Sequence, residues 1–98
     1  MNPKRPRSPR EVLDFYLESM QYTGIVADGF DDAIVGLTKD DDNSTVTVVY
    51  SIERCVETLM TRDGMTSEEA IEFFDFNVLG AYIQNGPKFI WTLDDLDP

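Results

Sequence analysis

Carboxylates are the side chains of this sequence with the most capacity for chemistry. They gather in "GFDD", where Asp31 and Asp32 follow Asp28, in "DDD" at Asp40, Asp41 and Asp42, in "SEEAIEFFD" with Glu68, Glu72 and Asp75, and in "DDLD" at 94–97. Such groups can hold a hard cation, work as an acid–base pair or face a cationic partner. Set against a calcium-binding loop beginning at Asp40, residues Asp42 and Ser44 keep the alternate spacing. Thr45, however, stands where glycine makes the turn, and Ser51 where glutamate closes the site. A solvated hairpin tip is expected there, and no metal. No spacing marks a carboxylate pair for acid–base work.

Other chemistry is scarce. The chain has no histidine, which removes the commonest general base, the Ser–His and Cys–His pairings and the H-E-x-x-H metal motif together. The one cysteine, Cys55, falls on an apolar helical stripe and reads as a buried structural thiol. Neither a phosphate-binding glycine loop nor a dinucleotide fingerprint occurs. The expectation is a protein that is not an enzyme and takes no cofactor.

Charge narrows the partner. The net value is -11, yet the first ten residues hold Lys4, Arg5, Arg7 and Arg10 and no acid; residues 11–98 carry 4 basic and 19 acidic side chains, a net of -15. Two helical patterns around a turn, 51–61 and 66–85, outline a DNA reader. Phosphate neutralisation by Lys and Arg supplies most nucleic-acid affinity, so a body this acidic is expected not to bind nucleic acid. The candidate docking surface is therefore acidic: Asp28, Asp31, Asp32, Asp40, Asp41, Asp42, Glu68, Glu72 and Asp75. The basic leader supplies candidate tail contacts, Lys4, Arg5 and Arg7, for phosphates, for a nuclear address, or for an acidic body, its own or a neighbour's. Ser8 is a candidate phosphosite among those arginines, although capping alone explains it.

The elements that must position these groups read as α-β-β-α-α-β. Residues 1–7 form a flexible basic tail, 8–93 one α+β domain and 94–98 an acidic tail. Ser8, Pro9 and Glu11 start a helix with a capping box, whose inner stripe is Leu13, Tyr16, Leu17 and Met20. Two strands follow, with Ala33, Val35 and Leu37 inward on the first and Val46, Val48 and Tyr50 inward on the second. Ser51 caps a second helix, buried along Ile52, Cys55, Val56, Leu59 and Met60, and Gly64 stops it. Thr66 and Glu69 box a third, with Ala70, Ile71, Phe74, Val78 and Ala81 inward, ended by Asn85, Gly86 and Pro87. Phe73, Phe76, Leu79 and Tyr82 leave that helix apolar over more than half its circumference, so it is central to the core or faces a partner. Asn77, beside that stripe, reads as a paired core amide tied to the loop 24–30. Gly80 suggests close approach of another backbone. A last strand, "KFIWTL", puts Phe89, Trp91 and Leu93 on one side. The expected fold is a small three-stranded sheet with helices mainly on one face, the outer strands parallel and the first strand between them.

The segments "DGFDDAIVGL", "VVYSIERCVETLMTRDGMTSEEAIEFFDFNVLGAYI" and "GPKFIW" together resemble a family of small proteins encoded by tailed bacteriophages, over roughly residues 25–91. The resemblance implies a phage origin and expression in a bacterial host, and it carries no activity. It would also set aside the nuclear-address reading of the leader. The expectations are thus an acidic interaction protein in the host cytoplasm, bound to a host or phage protein with a basic surface. An inhibitor of host defence, or of a nucleic-acid-binding protein by mimicry, is one form of it. A self-assembling accessory protein, including one associated with the virion, is the second reading, and a carboxylate enzyme using a divalent ion the third. No apolar run reaches the roughly 18 residues of a membrane span, a lone cysteine excludes an internal disulfide, and a reducing cytoplasm makes the sequon at Asn43 a chance match.

Overall fold

The computed structural model describes residues 7–39, 45–80 and 86–93. Its order is α1 (Pro9–Met20), a 3-10 turn (Asp31–Ala33), β1 (Ile34–Lys39), β2 (Val46–Ser51), α2 (Ile52–Asp63), α3 (Ser67–Phe74) continued by a π-helix (Asp75–Leu79), and β3 (Lys88–Ile90). This is an α+β fold with a mixed three-stranded sheet.

Helix starts follow the capping chemistry. The Ser8 hydroxyl accepts the Glu11 N–H while the Glu11 carboxylate accepts the Ser8 N–H, and Thr66 and Glu69 repeat the exchange at α3. Ser51 ends β2 and caps α2 in one residue, its hydroxyl accepting the Arg54 N–H. Gly64 stops α2 at φ 70, a left-handed conformation that glycine reaches without Cβ strain.

The sheet order is β1-β2-β3, with β1 antiparallel and β3 parallel to β2. The parallel orientation of β2 and β3 agrees with expectation, but the two pair directly, because β2 and not β1 is the central strand. The reason lies in the side chains: Val46, Val48, Val49, Tyr50 and Ser51 are all buried, so β2 needs cover on both faces and partners on both edges. β1 suits an edge. Its ladder slips between Ile34 and Gly36, leaving Val35 in a bulge. That slip exchanges Ile34 and Val35, Ile34 being buried and Val35 exposed, while Ala33, in the 3-10 turn ahead of the strand, and Leu37 lie inward as expected.

The core joins α1 (Leu13), the sheet (Ile34, Val48, Tyr50), α2 (Ile52, Cys55, Leu59) and α3 (Ala70, Phe74), so the helices pack mainly on one sheet face. Its centre is aromatic: Phe89 lies 5.3 Å, centroid to centroid, from both Tyr50 and Phe74, and Phe30 lies 6.5 Å from Phe74.

Several expected inward residues face water. Tyr16 and Met20 are exposed on α1, Met60 on α2 and Ile71 on α3, because each helix meets the core along a stripe narrower than its apolar pattern. β3 ends at Ile90, leaving Trp91 and Leu93 exposed, and Leu93 takes φ 58, which breaks the expected alternation. Asn77 is exposed and donates from Nδ2 to the Phe73 carbonyl at 3.2 Å, within its own helix, with no tie to the loop 24–30. The backbone that crowds Gly80 is also its own: a Cβ there would sit 2.6 Å from the Phe76 carbonyl oxygen. Ala81, Tyr82 and Asn85 lie outside the described residues.

Candidate acidic interaction surface

The expected acidic surface divides into a part the fold uses and a part it leaves open. Asp31, half-buried in the 3-10 turn, accepts Arg10 Nη1 at 3.2 Å, and Arg10 Nε donates to Asp14 at 3.0 Å, clamping α1 onto the turn. These two hydrogen bonds, Asp14 first and then Asp31, raise the Arg10 pKa above its ordinary value. Arg62 forms the second clamp. Its Nη1 donates to the Gly29 carbonyl at 2.7 Å, its Nε and Nη2 take the two Asp63 oxygens at 3.0 Å each, and its guanidinium carbon lies 5.8 Å from the Phe30 centroid. Its hydrogen bonds hold the Asp63 carboxyl below the usual carboxylate range.

Asp28 and Asp32 are exposed near this second clamp, where Gly29, Asp31, Asp32, Thr58, Thr61 and Arg62 line an open cavity of about 430 Å³. Asp40, Asp41, Asp42, Lys4 and Arg5 lie outside the described residues. Arg7 is described, its guanidinium 5.6 Å from the Phe15 centroid.

On α3 the picture differs. Glu68, Glu72 and Asp75 recur at i, i+4 and i+7, which places them on one helical stripe, and all three are exposed. None makes an ion pair with another described residue, and no basic residue occurs between Ser67 and Gly80. Beside this stripe the turn at Gly64 and the flank of α3 enclose an open groove of about 620 Å³, lined by Met65, Glu69, Glu72, Phe73, Phe76 and Asn77. The π-helix shapes its far end. Gly80 N–H donates to the Asp75 carbonyl at 3.1 Å, five residues back, and Phe76 stands 77% exposed with Phe73 at 40%. The sequence named Glu68, Glu72 and Asp75 among the candidate contacts without indicating that they share one exposed stripe. It did not show that Asp31 and Asp32 line a different cavity from Glu72.

Two features went unread in the sequence. Glu53, in the first turn of α2, holds the exit of β3: Oε1 accepts the Thr92 N–H at 2.9 Å and the Thr92 hydroxyl at 3.1 Å, and Oε2 accepts the Leu93 N–H at 2.7 Å. Burial pushes this carboxyl up, but the N–H groups of Thr92, Glu53 itself and Leu93, with the Thr92 hydroxyl, outweigh it and bring the pKa down to about 2. Only the parallel return of β3 beside β2 brings residues 39 and 40 positions apart together, so no local pattern could reveal it. The second feature is an apolar groove of about 400 Å³ lined by Val56, Met60, Ile71 and Trp91, with Glu53 and Glu57 at its rim.

Cys55 is buried, and burial pushes its thiol up to about 12. Among the described residues no three His, Cys, Asp or Glu side chains converge as a metal site, and no helix is long and apolar enough to cross a membrane. Comparison with protein-family models, curated proteins and solved structures gave no match to this chain.

Proposed function

We propose that this is an acidic interaction protein of phage origin, acting in the bacterial host cytoplasm by binding a host or phage protein through a basic surface on that partner. The observation that carries the reading is the sorting of charge. Arg10 and Arg62 engage Asp14, Asp31 and Asp63, while Glu68, Glu72 and Asp75 line the outside of α3 and make no ion pair among the described residues. With Glu69, four charges span seven helical rises, roughly one per 3.5 Å. One DNA strand carries about one charge per 3.4 Å of axis. That density supports a target that itself binds nucleic acid, with the protein as its inhibitor.

Affinity capture from a bacterial lysate tests this. One basic protein recovered at low salt and lost at high salt is the expected result, since exposed charge pairs are screened. Retention undiminished in concentrated salt counts against it.

A second reading is self-assembly through the apolar groove at Met60, Ile71 and Trp91, which the fold leaves uncovered. Sedimentation across a concentration range separates the two, because only self-assembly makes the mass of the chain alone depend on concentration.

A further inference from the structure

We propose that the groove beside α3 receives an arginine side chain of the basic partner and selects arginine over lysine. The proposal rests on the reading of α3 as the docking face and adds the residue chemistry of the contact.

The groove offers two kinds of surface side by side. Phe73 and Phe76 supply exposed rings, and Glu69 and Glu72 supply carboxylates at the same opening. Glu72 makes no hydrogen bond or ion pair among the described residues, while Glu69 uses Oε1 to accept the Thr66 N–H at 2.9 Å and keeps Oε2 for a ligand. A planar, weakly hydrated guanidinium can lie against a ring while its edge donates to a carboxylate; an ammonium is compact, strongly hydrated and gains less from the ring.

The chain builds this combination itself at the end of α2. Arg62 sits 5.8 Å from the Phe30 centroid while donating to both oxygens of Asp63. In the groove Asp63 is already held by Arg62, whereas Glu69 and Glu72 stand beside the rings and make no ion pair among the described residues. The wall is also locally unusual. Phe76 and Asn77 belong to the π-helix, an element that tends to mark functional sites. A second copy suits the groove less well, since each chain carries a net charge of -11 and two copies repel.

The test titrates the full-length chain with acetyl-hexaarginine-amide and acetyl-hexalysine-amide at matched ionic strength, followed by calorimetry. Hexaarginine is expected to bind on the order of tenfold more tightly, the size of a partly desolvated cation–ring contact. Phe76→Leu should bring the arginine peptide down to the lysine value, and Phe73→Leu should act the same way from the other wall. Phe76 is so exposed that its substitution leaves the core intact. Glu68→Gln, outside the groove, should weaken both peptides alike. Equal, salt-sensitive binding of the two peptides would overturn the groove while leaving the acidic docking face standing. No binding of either at low salt would overturn both. Self-association of the chain alone that Phe76→Leu abolishes would put a second copy in the groove and overturn the proposal.

Discussion

Tyr50→Phe isolates one hydrogen bond on which the acidic loop depends. Tyr50 is fully buried near the end of β2, and its hydroxyl accepts the Ala27 N–H at 2.7 Å, fastening the segment that leads to Asp28, Asp31 and Asp32 onto the sheet. Phenylalanine keeps the ring and its contact with Phe89, 5.3 Å between centroids, so the change removes the oxygen alone. Leaving a part-buried amide without an acceptor costs about 1–3 kcal/mol. Removing the phenol also relieves the desolvation of a hydroxyl, which trims the expected net loss to about 1–2 kcal/mol. At roughly 4–8 °C per kcal/mol for a domain this size, Tm should fall by about 4–16 °C. A stability of about 5–15 kcal/mol keeps the variant folded at room temperature. Urea unfolding should show a lower midpoint with an unchanged slope, and the Ala27 amide should exchange faster with solvent. A loss below about 0.5 kcal/mol with unchanged Ala27 exchange would refute the reasoning, because water or a shifted loop would then replace the phenol at no cost.

Two further perturbations test the parts of the fold that frame the candidate surface. The Glu53 carboxyl, held at about 2 against an ordinary 4.5, contributes stability in full above pH 4.5 and loses it as pH falls toward 2. Wild-type Tm should therefore drop across that window and the drop should shrink in Glu53→Gln, with the Glu53 side-chain carbon titrating near pH 2 by NMR; a midpoint near 4.5 would mean that the clamp on Thr92 and Leu93 is absent. For Gly80→Ala, helix propensity alone promises a gain of about 1 kcal/mol. The 2.6 Å approach of the new Cβ to the Phe76 carbonyl predicts a loss instead, measured as a lower urea midpoint together with shifted Phe76 ring resonances, and a gain would show that the π-turn does not close as described.

What the sequence revealed and what it hid follow one physical distinction. Capping is chemistry between groups three residues apart, so Ser8 with Glu11, Thr66 with Glu69 and the stop at Gly64 were legible where they stand. The first strand was misread at Ile34 and Val35, because alternation holds only while the ladder is regular and the bulge at Val35 interrupts it. The central place of β2 was missed although its two-sided apolar character was visible in Val46, Val48 and Val49. Asn77 was assigned to the core by its position on a regular helix, but past Phe74 the helix widens and the stripe no longer predicts which side is buried. For the candidate site, acidity was a matter of counting, whereas the pairing of Asp31 with Arg10, 21 positions away, depends on the tertiary fold.

That pairing also sharpens which acids need a functional explanation. Glu68 and Glu69 lie in the first turn of α3, where each is favoured by the helix dipole by about 0.3–1 kcal/mol. Fold stability alone accounts for them. Glu72 has no such support: it stands one turn beyond Glu68, a like-charge spacing that costs a few tenths of a kcal/mol. Asp75 stands three residues beyond Glu72 on the same stripe and adds a second like-charge neighbour, with the helix continuing past it to Leu79. The two acids that local energetics disfavour therefore stand at the end of α3 where Phe73 and Phe76 are exposed to water, itself a cost to a solitary protein. Each cost alone is small and has many explanations. Over residues 72–76 carboxylates and exposed rings alternate, and the proposed contact with a cation that carries its own planar apolar face would recover both costs at once.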